Sequence, residues 1–401
     1  MTTKSVINSL LILLFPSLLL AQYPTRSNIH IGLVYPLSTN GTHAADYTNL
    51  CSFHAIAGVS KSELSFCATG FASIVKDTAN GFIGSGFANI IGKDVMGGAF
   101  AGFINYTGNN VYGFAGAGVI NVASGVEGVA LAGFANIIAN DVNGLQGAGF
   151  INVAKKSNTQ LAGFINVAGE VPVAQAAGFI NVSKKAGAQV AGFANVAEEV
   201  SGAQIAGFIN IAKKVKGAQI AGFINIADSS EYPIGLINIV KNGEQAIGVS
   251  VNETGTTIAA FRSGGRILYG IIGLGANPTY NSAYAMQAGL GAHLPLSRAF
   301  RINFEASTTW LYDFMGNSDL RSGIRAMPSI RFGAWELFAG PSFNFTTSKD
   351  IQGIGKTGYS VWSEKTRCRT HDLSLGIEAG IQLHLNTSKP VNSPKKNIAN
   401  E

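Results

Sequence analysis

Hydrophobic and polar positions along this chain fall into two textures. Over residues 70–240 a nine-residue run recurs, followed each time by a short bend. One copy reads Gln204-Ile205-Ala206-Gly207-Phe208-Ile209-Asn210-Ile211-Ala212, then Lys213-Lys214-Val215-Lys216-Gly217. The runs are rich in Ile and Phe and too short for an ordinary helix, while Gly and charge mark the bends. Alternation predicts Ile205, Gly207, Ile209 and Ile211 on one face, and Gln204, Ala206, Phe208, Asn210 and Ala212 on the other. Over residues 241–386 the strands lengthen. The segment 371–385 sets Leu373, Leu375, Ile377, Ala379, Ile381, Leu383 and Leu385 against Asp372, Ser374, Glu378, Gln382 and His384. Further strands are predicted at 245–252, 256–262, 267–276, 283–296, 301–312, 323–332 and 335–345, with short and longer connections in turn.

The repeat has a fixed signature. Gly86-Phe87-Ala88-Asn89 returns at intervals of 13 to 16 residues down to Gly235-Leu236-Ile237-Asn238, with a looser copy at Gly70-Phe71-Ala72-Ser73. Fixed-period self-similarity marks architectures in which one unit cannot bury its apolar face alone. In a β-solenoid each repeat is one turn, Phe stacks on Phe, and Asn forms a hydrogen-bonded ladder. In an antiparallel meander each repeat is one strand of a barrel. The solenoid is favoured. The bends keep an apolar residue (Val142, Val200, Val215) as an inward corner would, and they are uniformly short, whereas membrane barrels alternate turns with longer loops. The later strands suit a small outer-membrane-type barrel, with a soluble β-sandwich as the alternative. The expected fold is therefore all-β, a repeat β-solenoid followed by an antiparallel β-barrel-like C-terminal domain.

Composition narrows the function. Of 401 residues only 12% are charged, 47% are hydrophobic and 50 are Gly, which excludes a disordered chain and a collagen. The net charge of +6 lies largely in bend lysines and the tail, so no nucleic-acid partner is expected. Residues 1–22 read as a secretory signal, with Lys4, an apolar run and Leu19-Leu20-Ala21 before Gln22. Residues 23–69 read as an N-terminal strand segment, and 387–401 as a disordered polar tail. Cys51 and Cys67 form a candidate disulfide in an oxidising compartment, leaving Cys368 over.

Chemistry is sparse. The six His are scattered, no Gly-x-Ser-x-Gly elbow occurs, and Gly97-Gly98 and Gly264-Gly265 lack the Lys-Ser/Thr of a phosphate loop. No catalytic, cofactor or metal-binding residue is assigned, and the protein reads as non-enzymatic. The repeat Asn residues suit either an exposed row for sugars or ions or a buried ladder. Lys155, Lys156, Lys184, Lys185, Lys213 and Lys214 recur at matching bends, a candidate recognition edge, with solvation and protection of a sheet edge the favoured alternative.

The unit Gly-Ala-Gln-Ile-Ala-Gly-Phe-Ile-Asn-Ile-Ala (residues 217–227) resembles the tandem units of a class of bacterial cell-surface repeat proteins. The resemblance covers about 170 residues of the repeat region. It implies a cell-surface or outer-membrane location in a Gram-negative bacterium, and no activity or functional residues. The expectation is an exported surface or outer-membrane protein with a structural or adhesive display role. Its partners would be the outer membrane and an unknown surface ligand, protein or glycan. The runner-up is an outer-membrane pore with the repeats as barrel strands.

Overall fold

A computed structural model describes residues 25–278, 283–314, 316, 318–349, 359–366 and 369–385. The signal segment at 1–22, the tail at 387–401 and Cys368 lie outside the described residues. Strand makes up 78% and helix 2%, so the class is all-β, and the architecture is a parallel β-solenoid of about 13 turns plus a closed eight-stranded antiparallel barrel. Among the described residues no helix is long and apolar enough to cross a membrane, which says nothing of strands. The chain divides into two compact units, up to Gly149 and from Phe150.

In the first unit the stack begins earlier than the sequence suggests. Thr25–Val34 pairs in parallel with Tyr47–Ser60, which pairs in parallel with Ser62–Thr69 and Ala72–Val75. The N-terminal segment thus consists of solenoid turns that have lost the Gly-Phe signature. Further on, like residues pair with like: Asn89 with Asn105, Asn105 with Asn121 and Asn121 with Asn136.

The second unit opens with the most regular turns. Gln204, Ala206, Asn210, Ala212 and Val215 point inward and are buried, while Ile205, Phe208 and Ile211 point outward. Phe208 therefore departs from the face predicted for it. Gly207-Phe208 is a corner, and the pleat restarts beyond it at Ile209. The corner explains the Gly. A Cβ on Gly207 would lie 2.1 Å from the carbonyl oxygen of Gly192, its equivalent one turn earlier. Only a residue without a side chain lets successive corners approach this closely.

The interior is polar. Asn210 Nδ2 donates to Asn225 Oδ1 at 3.0 Å and to the Ile220 carbonyl at 2.7 Å, and Asn210 Oδ1 accepts from Asn195 at 2.9 Å. The ladder runs from Asn152 to Asn238. A second ladder of glutamines links Gln160, Gln175, Gln189, Gln204 and Gln219. The Asn row is thus a buried ladder, and the exposed sugar- or ion-binding row is excluded. Phe164, Phe179, Phe193, Phe208 and Phe223 stack outside it, with ring centroids 4.9–5.2 Å apart.

The repeats end at Ile237–Val240, and the chain then turns antiparallel. The barrel strands are Glu244–Asn252, Thr257–Gly264, Leu268–Asn277, Ala283–Pro295, Phe300–Tyr312, Ser318–Phe332, Trp335–Ser348 and Thr370–His384, and the first pairs with the last to close the ring. An extra strand, Tyr359–Lys365, pairs with the start of the last strand beyond the ring. The connections 265–267, 296–299 and 333–334, of two to four residues, share the tight-turn end with the chain's way in and out, and the strands that end at Asn252, Asn277, Tyr312 and Ser348 lead to connections of four residues or more at the other, long-loop end. Because the repeats pair in parallel, they are not barrel strands, which removes that form of the pore reading.

Candidate functional site

Alternation on the barrel strands sends the charged residues inward. Near the tight-turn end, Arg301 Nη2 lies 2.5 Å from Glu336 Oε2, and Arg301 Nη1 lies 2.7 Å from Glu244 Oε2. Asn303 and Gln382 also donate to Glu336, at 3.0 and 2.9 Å, and His384 Nε2 lies 2.6 Å from it. Deeper in the ring, Arg262 Nε donates to Glu305 Oε1 at 2.8 Å, as does the Tyr269 hydroxyl at 2.9 Å. Arg325 bridges to Glu378 at 2.8 Å, and Arg321 pairs with Glu253 near the long-loop end. All four arginines are buried. An eight-stranded ring is just wide enough for side chains to fill it. Much of the filling here is ionic, with each of these four arginines set against a glutamate, as burial of charge requires, beside an apolar cluster around Ile258, Ile271 and Leu311.

The outer wall carries what a soluble barrel would keep inside. Leu274 is 62% exposed and Ile324 61%, and Ile247, Met286, Ile330 and Ile377 are similar. Aromatic rings collect at both ends. Tyr284, Trp310, Tyr312 and Phe314 cluster at the long-loop end, with centroids 4.9–5.6 Å apart. Phe332 and Trp335 stand exposed at the tight-turn end. The last solenoid turn meets this wall. Asn238 donates from its backbone N–H to Ser263 Oγ at 2.9 Å and from Nδ2 to the Ser263 carbonyl at 3.0 Å.

The six candidate lysines do line one edge of the second unit's solenoid, but acids interleave them. The register runs Lys156, Glu170, Lys185, Glu199, Lys214. Lys185 lies 3.8 Å from Glu170 and Lys213 3.4 Å from Glu198, and Lys184 and Lys155 occupy the adjoining column. A groove of about 310 Å³ on this edge is lined by both signs. Such alternation offers an anion no continuous positive stripe. It suits a solvated bend, since these strands are paired on both sides, with each exposed pair contributing about 0–1 kcal/mol.

The expected Cys51–Cys67 disulfide is absent, and both are free thiols. A bulge near Leu50 sets Cys51 opposite Phe66 and Ser52 opposite Cys67. Ser52 and Cys67 point into the stack while Cys51 points out, so the two sulfurs lie on opposite faces. Burial pushes the Cys67 thiol up to about 12, with the nearby Glu63 carboxylate adding to the shift.

Sequence reasoning missed two constellations, for lack of local spacing. Arg262, Arg301 and Arg321 meet their glutamates 35 to 68 positions away. In the first turns, His30 and His54 stack edge-on at 4.4 Å, with Asn49 donating to His30 Nδ1 and to Glu63 Oε1. Among the described residues no group of three or more His, Cys, Asp or Glu is arranged to hold a metal ion.

These features define a β-solenoid joined to a closed antiparallel barrel with an ion-paired interior and an apolar wall. No family model, curated protein or solved structure matches the chain.

Proposed function

We propose that the chain is an exported, non-enzymatic outer-membrane protein in which the eight-stranded barrel is the anchor and the solenoid a structural extension. One observation carries this reading: on the barrel strands the ion-paired charges face in, beside a smaller apolar cluster around Ile258, Ile271 and Leu311, while most of the large apolar side chains face out. Membrane barrels have this polarity, with an apolar band flanked by aromatic girdles. The strands, of 8 to 15 residues, match the roughly 9–11 that a tilted membrane strand needs.

The ionic filling favours an anchor over a pore. Barrels with open aqueous channels have 16 or so strands, about twice as many as this one. The connections favour a side. Outer-membrane barrels keep their short turns in the periplasm and their longer loops outside. The solenoid joins at the tight-turn end, so the proposed role is a periplasmic structural one, and adhesive display at the cell surface would need the reverse insertion.

Fractionation with protease treatment of intact cells tests this. The expected result is a heat-modifiable band in the outer-membrane fraction, a solenoid cleaved only after the outer membrane is permeabilised, and no conductance in planar bilayers. Recovery in a soluble fraction would overturn the anchor. Cleavage of the repeats from outside would restore the display role.

A further inference from the structure

We infer that the Gly-Phe corner of the second unit's solenoid lies against lipid acyl chains and continues the apolar wall of the barrel. The inference rests on the membrane reading of that wall.

The corner is built for an apolar medium. Phe193, Phe208 and Phe223 project outward in a continuous stack. Leu161, Val190 and Ile205 stand exposed on the strand before the corner, and Ile211 and Ile239 on the strand after it. The segments 160–168, 174–183, 188–197, 203–212 and 218–227 contain no charged residue. Every Lys and Glu of these turns sits in the bend, across the turn from the corner. Soluble proteins rarely expose contiguous apolar surface beyond a few hundred Å².

The interior cannot take these side chains. Asn, Gln and Ala fill it, with Val171, Val200 and Val215 at the bends, and the amides bind one another and the backbone from turn to turn. The repeat therefore directs its polar residues inward and its large apolar ones outward, the same inversion that the barrel shows. An outside partner must cover the apolar faces.

Continuity identifies that partner. The last copy of the corner is Gly235-Leu236. A Cβ on Gly270, which faces out from the barrel, would lie 2.0 Å from the Gly235 carbonyl oxygen. Leu236 shares a recess of the outer wall with Leu290, Ile324 and Phe343. The column of corners thus runs onto the barrel wall, and whatever solvates Leu290 and Ile324 meets the corner next. A surface with one apolar side and one charged side lies in a membrane interface, with its apolar residues in the acyl region.

The test uses the full chain, unmodified, in vesicles of phosphatidylethanolamine and phosphatidylglycerol that carry a phospholipid with a diazirine on its acyl chain. After photolysis, adducts are mapped by mass spectrometry. Adducts on the peptides holding Phe193, Phe208 and Phe223, as well as on the wall around Ile324 and Ile377, are expected. Adducts on the wall alone would overturn the inference and leave the anchor standing. A corner without lipid adducts in a chain that sediments as a dimer would overturn the inference and assign the corner to a second copy. Adducts nowhere would remove the membrane reading itself. A second readout avoids dependence on labelling yield. In a chain with Trp310, Trp335 and Trp362 replaced by Phe, a Phe208→Trp reporter should lose fluorescence roughly two-fold in brominated-chain lipid, because interfacial residues sit within reach of the acyl bromines. A Lys213→Trp reporter on the charged edge should not change. Equal response of the two reporters would count against the inference.

Discussion

Asn210 makes hydrogen bonds to both neighbouring turns and to the backbone, all in the interior of the stack. Replacing it with Ala leaves the Asn195 amide and the Asn225 oxygen short of partners. A buried polar group left unsatisfied costs about 1–3 kcal/mol, and the expected loss of stability in denaturant titration falls in that range, whereas Ile205→Ala on the outer face should cost little in detergent. Gly207→Ala should cost more, about 3 kcal/mol, because its methyl group would meet the Gly192 carbonyl at 2.1 Å. A pH effect is expected in the first turns. Burial, reinforced by the charge of His30, holds His54 near 4 instead of 6.5, and burial lowers His30 as well. The folded state thus binds fewer protons than the unfolded one between those values. The histidines' contribution is complete above pH 6.5 and is lost as pH falls toward 4. Glu63 acts with the opposite sign, because burial raises it above 4.5 against the hydrogen bonds it accepts, so its contribution is lost as pH rises. Amide exchange over Tyr47–Ser60 should therefore report faster opening at pH 5 than at pH 7, and His54→Phe should flatten the difference.

A turn is the unit of this fold, and its removal is a fair trial of the stack. Deleting residues 203–217 brings Gly202 to Ala218 and keeps Gln189 over Gln219 and Asn195 over Asn225, so every column stays in register. The shortened chain should unfold cooperatively, with a modest loss because Glu198 then faces Asp228 where Lys213 stood between them. Broad, multi-step melting of the deletion would count against nearest-neighbour stacking. Much of this was legible in the sequence. The eight barrel strands were found to within a few residues, because strict alternation survives wherever one face meets water or side chains and the other does not. The Asn ladder and the Phe column were legible from the period. Phe208 was misplaced because alternation counts positions and cannot see a corner. Cys51 and Cys67, separated by about one period, were paired on spacing, and one bulged residue near Leu50 turned them to opposite faces. The barrel ion pairs were illegible for another reason: Arg262 and Glu305 meet only once the ring closes.

In the barrel the ionic interior binds the wall together. Glu305→Gln should strip Arg262 and Arg325 of a shared counter-charge and cost about 3–5 kcal/mol, the usual consequence of breaking a buried pair from one side. The measurement is the temperature at which the compact band converts to the unfolded one, and replacing Arg262 and Glu305 together by Leu should recover part of the loss. The two amide ladders of the solenoid carry a different consequence. Each asparagine donates toward the next turn, from Asn152 on to Asn238, whereas each glutamine donates toward the previous one, from Gln219 back to Gln160. Two files of amide dipoles therefore lie side by side and point in opposite directions. Each file alone would polarise along its length. Opposed, they cancel, and the stack can grow by further turns without building up an electric field along its axis.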